Sequence, residues 1–598
     1  MPQDIYGLKP IDVAVIVAYF VAVMAVGFWV SRRVKTETDY FLGGRKFGKG
    51  LLVMHWLCTG THSEMAVQVA GASARVGLGG IWYQWMWMFS TPFYWFIAPV
   101  MRRLRVITTG DFFRVRYGRS AELLYCCVAV VYFMQSIAAL LRGAGAAIAG
   151  ATGGAIPTEQ SVIVLCLLFS TYIMAGGLVS AAYTDALQGV LIIVLSLLLV
   201  PAGLAAIGGW HVLHEKLPAA MFSVTAPAGS NEGDVAFVIA MSILGLVGIV
   251  AQPHVMTATG SGKSETEARV GMTYGNFIKR VLTVAWAFTG LIALVKFPDF
   301  LAGVDPTQHK DVSEQLFGRA VREFLGDGWR GLMIACLIAG VTSAETIMVV
   351  GSAIFTRNFY KPAMPGKSPR HYLWVGRVAS AGILFASVWM AFHAESVTKL
   401  FVTSVQVIAL LGAAFWLGAT WRRANLAGLW ASFFATLATW AMLSLEVKSV
   451  AGVPVVEAAV TQLVAFSESW GLRGFSPAVN IFITLCVEFG VLIAVSLLTP
   501  PQRKSQLDPF FARLLTPVGK EAEVRLASAP SDQPESAALG LDGAAFDYEK
   551  ARDYGYAGLR PLGLEIPRMT WFDWGGFIAA WLLVGVLVGG LVMLAGWR

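Results

Sequence analysis

Charge is scarce in this chain. Only 14% of its 598 residues are charged, whereas 56% are hydrophobic; a soluble domain carries about 25% charged residues. The charges avoid stretches of roughly 20 residues at a time, the length of a membrane-crossing helix. A soluble globular chain is excluded, and a polytopic membrane protein is expected. Cysteine is scarce as well. Cys58, Cys126, Cys127, Cys166, Cys336 and Cys486 all fall in apolar runs, which excludes a disulfide framework and zinc-ligand spacing. The first residues lack a basic segment followed by a small-residue cleavage site, so no signal peptide is expected. A P-loop, a nucleophile elbow and a metal cluster are also missing, so an enzyme is not expected. A net charge of +8 invites a nucleic-acid reading. Basic residues gathering in alternate loops, as membrane topology requires, explain it instead, and no nucleic-acid partner is expected.

The apolar runs predict an all-α membrane protein of about fourteen transmembrane helices. They lie near 11–30, 50–73, 79–101, 121–150, 158–176, 182–208, 235–256, 273–297, 328–357, 372–393, 396–418, 424–446, 476–499 and 571–596. Lys and Arg gather in the odd-numbered loops, for example Arg32, Arg33 and Lys35, then Arg102, Arg103, Arg105 and Arg116, then Arg422 and Arg423. Those loops are expected in the cytoplasm and both termini outside. Residues 500–570 are polar and include LASAPSDQPESAALG, the composition of a partly disordered cytoplasmic linker.

Polar groups inside apolar runs are costly and therefore informative. CTGTHSE (58–64) interrupts the second span and suits a locally unwound helix. Unwound backbone is tolerated at that depth only where it lines protein or a cavity, and its carbonyls can ligate a cation; an intact helix with hydroxyls bonded back one turn is the alternative. In the ninth span Ala339, Thr342, Ser343 and Thr346 share one helix face. Their hydroxyls suit a hard monovalent cation, or equally helix–helix contact. Glu345 joins them, and Asp185 opens the sixth span; together the two could hold a cation or a proton, or one could pair with Arg142. Arg142, in the fourth span, reads either as a clamp for a solute carboxylate or as the partner of Glu64, Asp185 or Glu345. Glu488 reads as a helix-packing residue with no polar cluster nearby. Tyr83 and Gln84 follow the interrupted segment, and a ring face beside an amide suits a polar organic solute.

Several stretches resemble one family in order and spacing. DYFLGGR (39–45), GGLVSAAYTDALQ (176–188), GIVAQPHVM (248–256) with KSETEARVGM (263–272), SAIFTRNFYKP (352–362), LGATWRRANLAG (417–428) and LDPFFARLLTPV (507–518) look like the sodium:solute symporters. The resemblance implies a LeuT-type core of two inverted five-helix repeats, here 50–208 and 235–423. A first helix and loop (1–49) would precede it. Two peripheral helices (424–499), the linker (500–570) and a last helix (571–598) would follow. It implies a sodium site built from the carbonyls of Cys58, Thr61 and Ala339 and the hydroxyls of Thr342 and Ser343. A second cation or proton site would use Asp185, Glu345 and Thr346; there Glu345 replaces the small hydroxyl residue more usual in relatives. Substrate contacts carried over by position are Thr61, His62, Ser63, Tyr83, Gln84, Arg142, Gln252 and Gln406. His62 also suits a hydrogen-bond strut, and Gln84 stands where sugar carriers have an acidic residue. The expected activity is sodium-coupled symport of a small polar solute (a sugar, sugar acid, amino acid or carboxylate) across the cell membrane by a monomer, with Na+ as the coupling ion. A proton-coupled carrier of the same fold and a solute sensor that does not transport are the alternatives.

Overall fold

The computed structural model describes residues 4–31, 43–172, 177–227, 229–305, 308–342, 348, 351–352, 354–444, 454–471, 473–525 and 546–597. Within them the chain is helical, and its only β pairings are isolated bridges. Among the described residues, eight helices are long and apolar enough to cross a membrane, or nine when a pair bent by 59° counts as one span.

The helices that position the site are α1 (Pro10–Ser31), α2 (Lys49–Thr59), α3 (Ser63–Val76), α4 (Tyr94–Leu104), α5 (Arg119–Ala151), α6 (Thr158–Tyr172) and α7 (Gly177–Ile207). They continue as α8 (Val235–Ile249), α9 (Pro253–Gly260), α10 (Glu265–Lys296), α11 (His309–Glu314), α12 (Trp329–Thr342), α13 (Pro369–His393), α14 (Val397–Ala409) and α15 (Gly412–Thr420). After them come α16 (Leu426–Ser444), α17 (Pro477–Leu498), α18 (Lys504–Leu515) and α19 (Trp571–Gly596).

Among the described residues, three breaks in apolar runs bear on the site. Between α2 and α3, Gly60 leaves the helix and His62 is extended, at φ −125° and ψ 167°. Between α8 and α9 the chain restarts at Pro253 in the first helical position, where its missing N–H costs nothing. Between α14 and α15 the break falls at Leu410 and Leu411. There the buried Glu488 of α17 accepts a hydrogen bond from the Ala413 N–H (2.9 Å). A carboxylate thus replaces the backbone partner that the break removes.

Small residues allow close crossings, as is usual between membrane helices. A Cβ on Gly143 would lie 2.5 Å from the Glu64 Cα, one on Gly290 2.2 Å from the Ala70 carbonyl oxygen, and one on Gly318 2.1 Å from that of Ala147. Asp12 of α1 accepts from the N–H groups of Gly328 (2.7 Å) and Gly331 (3.1 Å) and so caps α12.

Residues 500–570, expected as a partly disordered linker, fold in their described part. α18 buries Phe510 and Phe511, with Phe112 packed against both Phe510 and Phe415. Ala512, Leu515, Val524, Phe546 and Ala551 form a small apolar cluster. Arginines of the basic loops tie this layer down: Arg105 pairs with Glu521 (2.8 Å), and Arg103 with Glu265 (2.9 Å), which also accepts from the Val518 N–H. The stretch LASAPSDQPESAALG itself lies outside the described residues.

Gly290→Val places a branched side chain where α10 meets the α3 backbone. An overpacking cost of about 1–3 kcal/mol is expected, read as a lower thermal unfolding midpoint in detergent.

Candidate functional site

The first two breaks face one cavity. Gly60 and His62 from the first, and Ile249 and Gln252 from the second, line it together. α5 adds Tyr132 and Ser136, α10 adds Asn276 and Lys279, and α14 adds Phe401 and Ser404. Trp56, Trp87 and Tyr94 supply broad aromatic faces. Helix ends at mid-membrane present free N–H and C=O groups to a polar guest, which is the chemical advantage of breaking a helix here.

Two opposite charges meet this space. Glu64 sits in the first turn of α3 and Lys279 on α10; both line the cavity and both are buried. Among the described residues the Glu64 Oε2 has no hydrogen-bond partner, and the Lys279 ammonium lies 5.4 Å from the centre of the Trp87 ring. Aromatic planes, one carboxylate, one ammonium and several amides and hydroxyls form a lining that can stack a ring and hydrogen-bond its rim.

Two of the expected sodium ligands, Cys58 and Thr61, belong to the first break. The Cys58 carbonyl accepts from the Thr61 N–H (3.0 Å), and the Thr61 and Ser63 hydroxyl oxygens are buried without a partner among the described residues. α12 touches this segment, since a Cβ on Gly340 would stand 3.3 Å from the Ser63 nitrogen. The His62 ring is placed against the backbone of Thr59 and Gly340, the arrangement of a strut between the break and α12. Ala339 is buried beside it. Ser343, Glu345 and Thr346, and the Thr342 side chain, lie outside the described residues.

Asp185 has a partner that the sequence did not suggest. Its Oδ2 lies 3.0 Å from the His55 Nδ1, and its carbonyl accepts from the Cys58 thiol (2.9 Å). One helical turn of α2 therefore binds α7 twice, beside the break.

Six of the eight substrate contacts carried over by position do not line the cavity, and four of these are engaged elsewhere. Arg142 donates to Asp311 (2.6 Å) and to the Ala391 carbonyl (2.7 Å), so its described partner is neither Glu64 nor Asp185. Gln84 donates to Gln68 (2.8 Å), and Tyr83 packs edge-on against Phe237. Gln406 accepts from the Trp440 indole (3.1 Å) in a separate crevice shared with Thr436, Thr484 and Glu488. Glu488 thus has the polar neighbours that the sequence did not reveal. His62 and Gln252 do line the cavity, with Thr61 and Ser63 in the adjoining break. Lys279 and Asn276 were missed, although an ionisable residue within an apolar run is itself a signal of function.

The comparisons with known proteins follow the same lines. The model of the sodium:solute symporter family matches residues 40–435. The sodium/myo-inositol cotransporter 2 of Oryctolagus cuniculus is 28% identical over 464 residues, 70% of this chain and 67% of that one. The sodium/glucose cotransporter 4 of Danio rerio is 26% identical over 412 residues, 63% of this chain and 62% of that one. The solved structure of a Na+-coupled sialic acid symporter, in its substrate-bound outward-open state, has the same fold. Its TM-score is 0.63 at 18% identity, over 83% of this chain and 99% of that one.

Gly340→Val would push α12 away from the break at Ser63. With an overpacking cost of about 1–3 kcal/mol, and tenfold in affinity per about 1.4 kcal/mol, sodium-dependent thermal stabilisation should require roughly tenfold more sodium or vanish.

Proposed function

The chain belongs to the sodium:solute symporter family, and from that premise we propose that it couples sodium entry to uptake of an uncharged, polyhydroxylated ring solute by alternating access. Membership makes it a multi-pass protein of the cell membrane and a transporter by family rather than an enzyme. The observation that carries the proposal is the cavity between two broken helices, lined by one acidic residue, Glu64, and one basic residue, Lys279, with Trp56, Trp87 and Phe401 as flat walls. Many hydroxyls need both donors and acceptors within reach, and the apolar face of a ring needs an aromatic plane. A solute carboxylate would meet Glu64 as well as Lys279, which disfavours a net anion. The inositol and glucose named for the two cotransporters are solutes of the proposed kind.

Sodium sits at the contact of the first break with α12, held by the carbonyls of Cys58, Thr61 and Ala339 and the hydroxyls of Thr342 and Ser343. Bound there it joins the two elements and favours the outward-open state. Its loss inside releases them, a population shift that requires different affinities in the two states. The driving force suffices. One sodium ion gains ~2.3 kcal/mol across 100 mV and about 1.4 kcal/mol from a tenfold concentration ratio. Fourteen spans, two inverted repeats, outside termini and a monomer complete the proposal. The buried pairing of Asp185 with His55 favours one further reading, in which Asp185, Glu345 and Thr346 form a site that takes a proton rather than a second sodium ion.

Uptake into proteoliposomes tests the scheme. Radiolabelled myo-inositol and glucose should accumulate with sodium outside and not with choline, and the paired change Thr342→Ala/Ser343→Ala should abolish accumulation. Uptake that persists fully in that variant would refute the sodium site. Lys279→Met should raise the solute KM at least about tenfold, the usual cost of removing a charged hydrogen bond (~1.5–3 kcal/mol).

A further inference from the structure

α11 is six residues long, and four of its side chains each reach a different element. Lys310 pairs with Glu232 of the loop before α8 (2.5 Å). Asp311 pairs with Arg142 of α5 (2.6 Å). The Ser313 hydroxyl accepts from Arg75 of α3. Glu314, buried, accepts from the first N–H groups of α14: Val397 (2.9 Å), Thr398 (3.0 Å) and the Thr398 hydroxyl (3.1 Å). With Ser396 capping the Lys399 N–H (3.1 Å), the free donors at the start of α14 are held mostly by one carboxylate. α14 is also the helix that brings Phe401 and Ser404 to the cavity wall. Its other end is the break at Leu410 and Leu411, where Glu488 holds the next N–H. α14 is thus a short rod with a hinge at one end and a carboxylate clasp at the other.

We propose that Glu314 is a proton-sensitive latch, holding α14 closed over the cavity on the face of the protein opposite the basic loops. The inference rests on the transport reading above for what α14 covers. The clasp is sealed from water, whereas an opened α14 would leave Glu314 solvated. In the closed state burial raises the carboxyl to about 7, against the lowering effect of the Val397 and Thr398 N–H groups; Asp311 adds to the rise and Arg142 opposes it. Solvated, the same carboxyl returns to about 4.3. The closed state therefore binds the proton more tightly. Acidification favours it, and its advantage is lost as pH rises through about 7.

The other groups around the clasp are accounted for. Asp311 and Arg142 neutralise each other, Arg75 and Lys310 share Glu232, and Lys399 is bound to Glu395. Tyr83 stands near enough to feel both Glu232 and Glu314. His309 is the histidine of α11, and its ring is turned to the Val304 carbonyl (2.9 Å).

Hydrogen–deuterium exchange of residues 397–401 in the full-length protein, corrected for intrinsic exchange, tests the latch without solute or sodium. A failure there is thus distinct from a failure of sodium-driven uptake. Protection should be about tenfold greater at pH 6 than at pH 8, the ratio set by a closed-state value near 7. His309→Asn should keep that difference and Glu314→Gln should remove it. Equal protection at both pH values in the unaltered protein, or a tenfold difference surviving in Glu314→Gln, would overturn the latch. If Glu314→Gln does not yield monodisperse protein, the first comparison and the His309→Asn control decide alone: loss of the difference in His309→Asn assigns it to the histidine.

Discussion

A peptide group at mid-membrane has no water to bond, so every break in a helix must be met by protein, by ions or by a polar cavity. The rest of this structure depends on how that requirement is satisfied. The breaks at 60–62 and 250–252 open onto one cavity, where a guest can take the freed groups. The break at Leu410 and Leu411 is met by Glu488 instead. The same kind of discontinuity therefore serves twice as a binding surface and once as a hinge.

Breaks weaken helices, and close packing around them compensates. Gly143 lies against the Glu64 backbone and Gly340 against that of Ser63, so the first break is gripped from two sides where a larger side chain would hold the helices apart. Ion pairs add to this packing. One set of arginines, Arg103 and Arg105 among them, fixes the layer formed by residues 500–570. Elsewhere α11 pairs Asp311 with Arg142 and Lys310 with Glu232. Rigid faces with a polar, discontinuous middle suit a carrier whose two gates must move around a site that stays put.

Inside the cavity, Glu64 and Lys279 are the groups on which the proposed preference for an uncharged solute rests. Burying a net charge is costly unless it is paired. A cavity that already holds one charge of each sign accepts a neutral guest with least rearrangement. The His55–Asp185 contact applies the same rule one turn away: a buried carboxylate is accompanied by a group able to carry the opposite charge.

Much of the fold was legible in the sequence. Apolar runs mark the helices because hydrocarbon tolerates no unpaired backbone, and Gly60 with its polar neighbours marks the first break because an apolar run has no other use for them. Family-like stretches from residue 39 to residue 518 marked the kinship. Which side of each helix faces the cavity was not legible. Arg142, Gln84 and Gln406 are polar residues at plausible depth, yet each is bound to a neighbouring helix, while Lys279 went unnoticed and lines the cavity. A helix places successive residues about 100° apart, so one wrong assumption about rotation moves a side chain from cavity to packing interface. The sequence by itself determined how many polar groups enter the membrane layer and on which segments. Only the tertiary structure decided which meet each other and which are left for a guest, because a buried polar group is defined by its partner and the partners here lie up to 412 residues away.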